Sequence, residues 1–204
     1  MTEVDAVVAA IRAGRLVLLP TDTVYGLAAD GRSEAAATAL YAAKGRASVR
    51  PTALLFASVE LLVAEVPELD ESSVAVVRAL LPGPVTLVLP NPARRFLWLN
   101  AERPEAIGVR VPALVGRGGD VLAAVGVLVA TSANLPGGPD PRRLADVPAE
   151  LTGAAAARLD GGELPGVPST VVDVTGGEPS VLREGAVAAA EVVARIRDAV
   201  LTDR

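Results

Sequence analysis

Short runs of wholly apolar residues alternate along this chain with segments of helical periodicity, and that alternation admits few folds other than a layered α/β one. Residues 16–19 and 127–130 are continuous apolar runs of strand length, as expected of strands buried on both faces. Residues 26–29, 52–57, 85–89 and 107–111 read as further strands. Thr2 stands ahead of Val4, Val7, Val8 and Ile11, which share one helical face that Gly14 ends. Ser33 opens a helix running to Ala43 with Gly45 as its stop, and Ser58 and Asp70 each begin another. Residues 120–125 read as helical, residues 170–174 and 180–182 as a hairpin across Thr175-Gly176-Gly177, and residues 188–200 as a closing amphipathic helix. Some strands follow one another with no helix between them. The expected fold is therefore α/β, with a twisted mixed sheet and flanking helices, in a single domain over residues 1–204. Residues 91–103 are expected to be surface decoration.

The core must be aliphatic, since 51% of residues are hydrophobic and only 2% aromatic. The chain has no histidine and no cysteine. That removes thiol nucleophiles, Ser-His-Asp triads, histidine bases and any His/Cys metal site. Oxygen ligands remain, which suit magnesium or calcium. The net charge of −5 disfavours indiscriminate binding to nucleic acids or anionic membranes, while leaving room for a local basic pocket. The longest wholly apolar stretch, residues 121–130, is far short of the roughly 20 residues a spanning helix needs. Glu3 and Asp5 stand where a signal peptide carries positive charge. A cytoplasmic protein without a membrane segment is the expectation.

Chemistry is concentrated where strands end. Four strand exits carry unusual polar groups: Thr21-Asp22-Thr23, Arg110, Thr131-Ser132-Ala133-Asn134, and Ser169-Thr170 with Arg183 beyond. Ligands of open α/β sheets bind outside strand ends, where such loops converge. Lys44, Arg46 and Arg50 follow a helix on another loop. Brought together, these residues make a concave basic site for a polyanion such as a nucleoside triphosphate. Singly, each has an ordinary reading as a turn former, a helix cap or a cation complementing a helix dipole. Of the 19 basic residues, Lys44 alone is lysine, a compact charge where the chain elsewhere uses the planar guanidinium. No GxxxxGK[ST] loop is present, and GRGGD from Gly116 is not a GxGxxG fingerprint.

In order, the blocks PTDTVYGL (residues 20–27), KGR (44–46), PGPVTLVL (82–89), VRVP (109–112), TSAN (131–134), PSTVVD (168–173) and LREG (182–185) resemble the YrdC-like threonylcarbamoyl-adenylate synthases. Seven ordered blocks across residues 13–185 are far more specific than any one motif. The resemblance implies a YrdC-like fold with a basic concave face, in the family's short, single-domain form. It implies that L-threonine, bicarbonate or CO2, and ATP give L-threonylcarbamoyl-AMP and pyrophosphate, for threonylcarbamoyladenosine modification of tRNA. Magnesium comes in with ATP, and transferase proteins that modify tRNA take the intermediate.

Carried over residue by residue, the family's catalytic constellation falls on Lys44, Arg46, Ser132 and Asn134. Its threonine-binding positions fall on Thr23, Arg110, the Ala130 backbone and Ser169. Its ATP-binding positions fall on Arg46, Arg50, Ser132, Asn134 and Arg183. The chain departs from the family pattern at Ala47 and Thr52, and at Leu55, where a family member has a histidine near threonine. A carbamoyl-phosphate-using domain of hydrogenase-maturation proteins is a related alternative, disfavoured by the absence of zinc-finger cysteines. The alternative of another class is a double-stranded-RNA or ribosome-associated module. The acidic balance leaves that reading only weak RNA contact. Tyr25 is the single aromatic expected in the pocket, too few for base stacking.

Overall fold

Alternate residues of one set of strands face a helical layer and an open trough, and this two-sidedness organises the molecule. The computed structural model describes residues 2–45 and 52–202. Among these, nine strands form one sheet: β1 (Val17–Pro20), β2 (Tyr25–Asp30), β3 (Ala53–Phe56), β4 (Val85–Pro90), β5 (Ala106–Arg110), β6 (Val127–Ser132), β7 (Ala157–Arg158), β8 (Thr170–Asp173) and β9 (Ser180–Arg183). Their order is β7-β1-β2-β6-β3-β5-β4-β8-β9. The pairs β1/β7, β3/β5 and β4/β8 are parallel and the others antiparallel. The mixed α/β sheet read from the sequence is the one observed.

Seven α-helices accompany it: α1 (Glu3–Arg12), α2 (Glu34–Ala43), α3 (Val59–Glu65), α4 (Glu71–Leu80), α5 (Arg117–Val125), α6 (Ala149–Ala154) and α7 (Ala189–Thr202), counted among the described residues. Thr2 caps α1 in a reciprocal capping box with Asp5, and Ser33, Ser58 and Asp70 cap α2, α3 and α4. α5 begins three residues earlier than the apolar pattern indicates, because Arg117, Gly118 and Gly119 carry no periodicity.

Leu27, Leu54, Leu87, Val109, Val129 and Val172 point to the face covered by α2, α3, α4 and α7. On the opposite face, α1 and α5 cover Val17, Leu19, Ala28 and Leu128. That cover stops before β5, β4 and β8. There the residues between the core positions are small: Ala130, Ala53 and Gly108 lie side by side across β6, β3 and β5, with Val88 next on β4. Side chains of a strand stand perpendicular to the sheet, so a row this short leaves a trough.

Residues 91–103 are not surface decoration. Asn91 is 2% exposed, and its carboxamide bonds Arg95 N, Arg95 O and Pro104 O at 2.8–3.0 Å. Leu99 is buried, and its carbonyl accepts from Thr52 N at 3.2 Å. The segment is thereby fastened to the sheet as one wall of the trough.

Candidate functional site

The trough is a cavity of about 360 Å³. Its polar lining comes from strand ends and the loops after them: Thr21 and Thr23 after β1, Thr86 on β4, Arg110 ending β5, Thr131 and Ser132 ending β6, and Ser169 and Arg183 beside β8. Ala130 and Leu55 form part of the floor.

The β1–β2 connection is a hydroxyl turn. Thr21 Oγ1 donates to Val24 O at 2.7 Å and accepts the backbone N–H groups of Thr23 and Val24 at 3.2 Å. The Thr21 and Thr23 hydroxyls are 3.0 Å apart, a contact in which either can be the donor. Thr23 Oγ1 also accepts from Arg110 Nη2 at 3.3 Å and keeps hydrogen-bonding capacity for a ligand. Asp22, between them, accepts from Arg110 Nη2 at 2.5 Å through one oxygen and from Ala113 N at 3.0 Å through the other. Burial holds the Arg110 guanidinium below its usual range, the Asp22 charge opposes that shift, and the Arg183 charge adds to it. Arg110 Nε is buried with no partner among the described residues.

Opposite, the Ser169 and Thr86 hydroxyls are 2.9 Å apart. Arg183 donates to the Ser169 carbonyl at 3.2 and 2.8 Å and to its hydroxyl at 3.2 Å, so the guanidinium is held against the cavity rim. Ser132 links this cavity to Lys44. The ammonium donates to Ser132 O at 2.7 Å, to Asn134 Oδ1 at 3.0 Å and to Asn134 O. Ser132 Oγ donates to the same Asn134 Oδ1 at 2.7 Å, and Asn134 Nδ2 donates to Gly138 O at 2.7 Å. Lys44 is the C-cap of α2, where a cation is favoured.

The structure thus brings Thr23, Arg110, Ala130, Ser132, Ser169 and Arg183 around one cavity and sets Lys44 and Asn134 behind Ser132. Arg46 and Arg50 lie outside the described residues, as does Ala47. Tyr25 is not in the pocket. It is fully buried in the core, its hydroxyl bonded to Asp160 Oδ1 and Gly162 O at 2.9 Å. An alternating strand points its residue inward here, which the flanking polar motif obscures. Asn100 and Arg103 line the cavity and were not legible in the sequence, because their loop gives no periodic signal. Arg103 reaches Asp173 at 2.7 Å and Thr175 at 3.0 Å. Asn100 Oδ1 is buried with no partner among the described residues. The hydroxyl of Thr86 also went unread, since its role depends on Ser169, 83 residues away.

With this geometry in hand, comparison with known proteins is informative. The model of the Sua5/YciO/YrdC family, described as "Telomere recombination", matches residues 9–185. A Mycobacterium tuberculosis relative is 35% identical over 181 residues, 88% of this chain and 82% of its own length. The threonylcarbamoyl-AMP synthase of Pyrococcus abyssi is 34% identical over 183 residues, 89% of this chain. The solved structure of P. abyssi Sua5 complexed with L-threonine superposes with a TM-score of 0.83 at 33% identity over 96% of this chain. The chain spans 54–58% of the length of these P. abyssi proteins.

Proposed function

The chain belongs to the Sua5/YciO/YrdC family, and from that membership and the cavity's chemistry we propose that it is an L-threonylcarbamoyladenylate synthase. It joins L-threonine, bicarbonate or CO2, and ATP into L-threonylcarbamoyl-AMP and pyrophosphate, as a nucleotidyltransferase serving tRNA threonylcarbamoyladenosine modification. The observation that carries this reading is the shared cavity: a buried arginine, two hydroxyls and a rim arginine meet beside the Ser132–Asn134–Lys44 group.

Arg110 takes the threonine carboxylate, and Thr23, the Ala130 backbone and Ser169 hold the remainder of the amino acid. The threonine amine condenses with bicarbonate, losing water, or adds CO2, to give a carbamate. A carbamate oxygen attacks the ATP α-phosphorus. The new P–O bond forms as the α–β bridging bond breaks, and pyrophosphate departs with that electron pair. Such a transfer needs positioning and charge neutralisation rather than a covalent enzyme intermediate. Ser132 and Arg183 supply both around the phosphates, Lys44 and Asn134 hold Ser132 in place with a positive charge behind it, and Arg46 and Arg50 add further charge.

Magnesium enters as part of the ATP substrate. The described residues contain no group of three acidic side chains able to hold a metal, whereas triphosphate oxygens do so themselves. Among the described residues no helix is long and apolar enough to cross a membrane, in keeping with the cytoplasmic setting proposed here. Transferase proteins that modify tRNA take the intermediate. The test is pyrophosphate release from ATP with threonine and bicarbonate omitted in turn. Release that needs both supports the reading, and orthophosphate as the primary product overturns it.

A further inference from the structure

Asp22 occupies an unusual position for a carboxylate. Its side chain is 11% exposed and that of Arg110 is 8% exposed, so the two form a buried ion pair in which Arg110 lines the cavity and Asp22 stands behind it. Its other oxygen is fixed by Ala113 N, in the segment leaving β5. The carboxylate is therefore located by the backbone of the strand that carries Arg110, without any ligand. A buried guanidinium left alone is strongly unfavourable, yet one pinned on all sides could not receive a substrate. Asp22 and Thr23 engage only Nη2, and Nε has no partner among the described residues. One side of the guanidinium is held while the rest stays uncommitted.

Resting on the reading that this cavity receives threonine, we infer that Asp22 is the positioning residue of the amino-acid site: it orients Arg110 towards the substrate carboxylate. It touches Arg110 rather than the substrate and acts through it.

Asp22→Asn keeps the shape and removes the charge. Threonine binding is read by calorimetry, and turnover by pyrophosphate release. The expected result is a threonine KM and Kd raised about tenfold, near 1.4 kcal/mol, with kcat at saturating threonine and the ATP KM within about threefold of wild type. In an Arg110→Lys background the same change adds less than about twofold, since the pair that it breaks is already altered. Unchanged threonine affinity in Asp22→Asn, an equal loss in both backgrounds, or a fall in kcat alone overturns the inference. Should Asp22→Asn melt early, Asp22→Glu takes its place. It keeps the charge but shifts it, and is expected to raise the threonine KM with kcat kept; an unchanged threonine KM there overturns the inference. Calorimetry separates the two claims. A wild type that binds threonine but releases no pyrophosphate sinks the proposed reaction and leaves Asp22 testable.

Discussion

Lys44 Nζ lies 2.7 Å from the carbonyl oxygen of Ser132, 88 residues further along the chain. With Asn134 Oδ1 and Asn134 O also accepting from it, the ammonium's three N–H groups are matched by three acceptors in one loop. A helix C-terminus alone accepts either cation, but Lys44 is only 1% exposed. A guanidinium is larger and planar, and it cannot reproduce this three-way donation. Lys44→Arg is therefore expected to destabilise by about 1–3 kcal/mol through overpacking, seen as a lower melting temperature. Pyrophosphate release should fall on the order of 100-fold, about 2.7 kcal/mol, at a temperature where the variant is still folded, because Ser132 and Asn134 move with their anchor. Normal turnover in a folded Arg variant would show that the lone lysine has no catalytic part.

Recognition of the substrate's hydroxyl is a second point where hydrogen-bond accounting decides. Thr23 Oγ1 meets Thr21 at 3.0 Å and accepts from Arg110, and whichever hydroxyl donates in the first contact, Thr23 keeps a lone pair or its proton for a ligand. Threonine's hydroxyl both donates and accepts, and so fits either. 2-Aminobutyrate has the same carbon skeleton without the hydroxyl and leaves Thr23 without that partner, at about 1–3 kcal/mol. Serine keeps the hydroxyl and loses a methyl, for about 1–3 kcal/mol in a hydrophobic pocket. Both should be turned over at least about tenfold less efficiently than threonine in kcat/KM. In Thr23→Val the gap between threonine and 2-aminobutyrate should close while serine stays poor. A gap that persists would place hydroxyl recognition on another residue.

Much of this was legible in the sequence. Buried strands such as β1 and β6 announce themselves by unbroken apolar runs, and the caps Thr2, Ser33, Ser58 and Asp70 stand where the periodicity begins. The converging polar strand ends marked the site because polar groups at strand exits interrupt an apolar pattern. What stayed hidden depends on long-range partners. Nothing near Asp22 in sequence points to Arg110, 88 residues away, and nothing in the 91–103 segment reveals that Asn91 ties it down. β7 has two residues, too few to carry any period. The small residues of the trough floor, Ala53, Gly108 and Ala130, are informative only once the strand register sets them side by side.

Acid should weaken one of these caps in a definite direction. Asp70 accepts from Ser73 N at 2.8 Å, and the side chain and backbone of Ser73 hold its carboxyl below the ordinary 3.8, burial pulling the other way. A depressed folded-state pKa contributes stability that is fully present above the unfolded value and is lost as pH falls through the folded one. Asp70→Ala should therefore cost about 1 kcal/mol in urea unfolding at pH 7. Below about pH 4 the difference from wild type should shrink, as the wild-type carboxyl protonates. A constant difference from pH 7 to 3 would mean that the cap acts without its charge.

Gly185 couples stability to the site most directly. A Cβ built there would lie 2.2 Å from Pro168 O and 2.7 Å from the Ser169 carbonyl carbon and oxygen, all backbone atoms that cannot swing aside. Its own N–H donates to Thr170 Oγ1 at 3.0 Å. Gly185→Ala must therefore push the 168–170 segment away, carrying with it the Ser169 hydroxyl in the cavity and the carbonyl that holds Arg183. The expected cost is about 1–3 kcal/mol in unfolding free energy, typical of overpacking. Because Ser169 and Arg183 move together, the KM values for threonine and ATP should both rise. Gly153 in α6 supplies the contrast, since a Cβ there meets nothing within 4 Å. Gly153→Ala should stabilise by about 0.4–1 kcal/mol through the unfolded chain and leave both KM values alone. If Gly185→Ala proves as harmless as Gly153→Ala, the LREG turn does not fix the position of Ser169, and the rim of the cavity is held by something else.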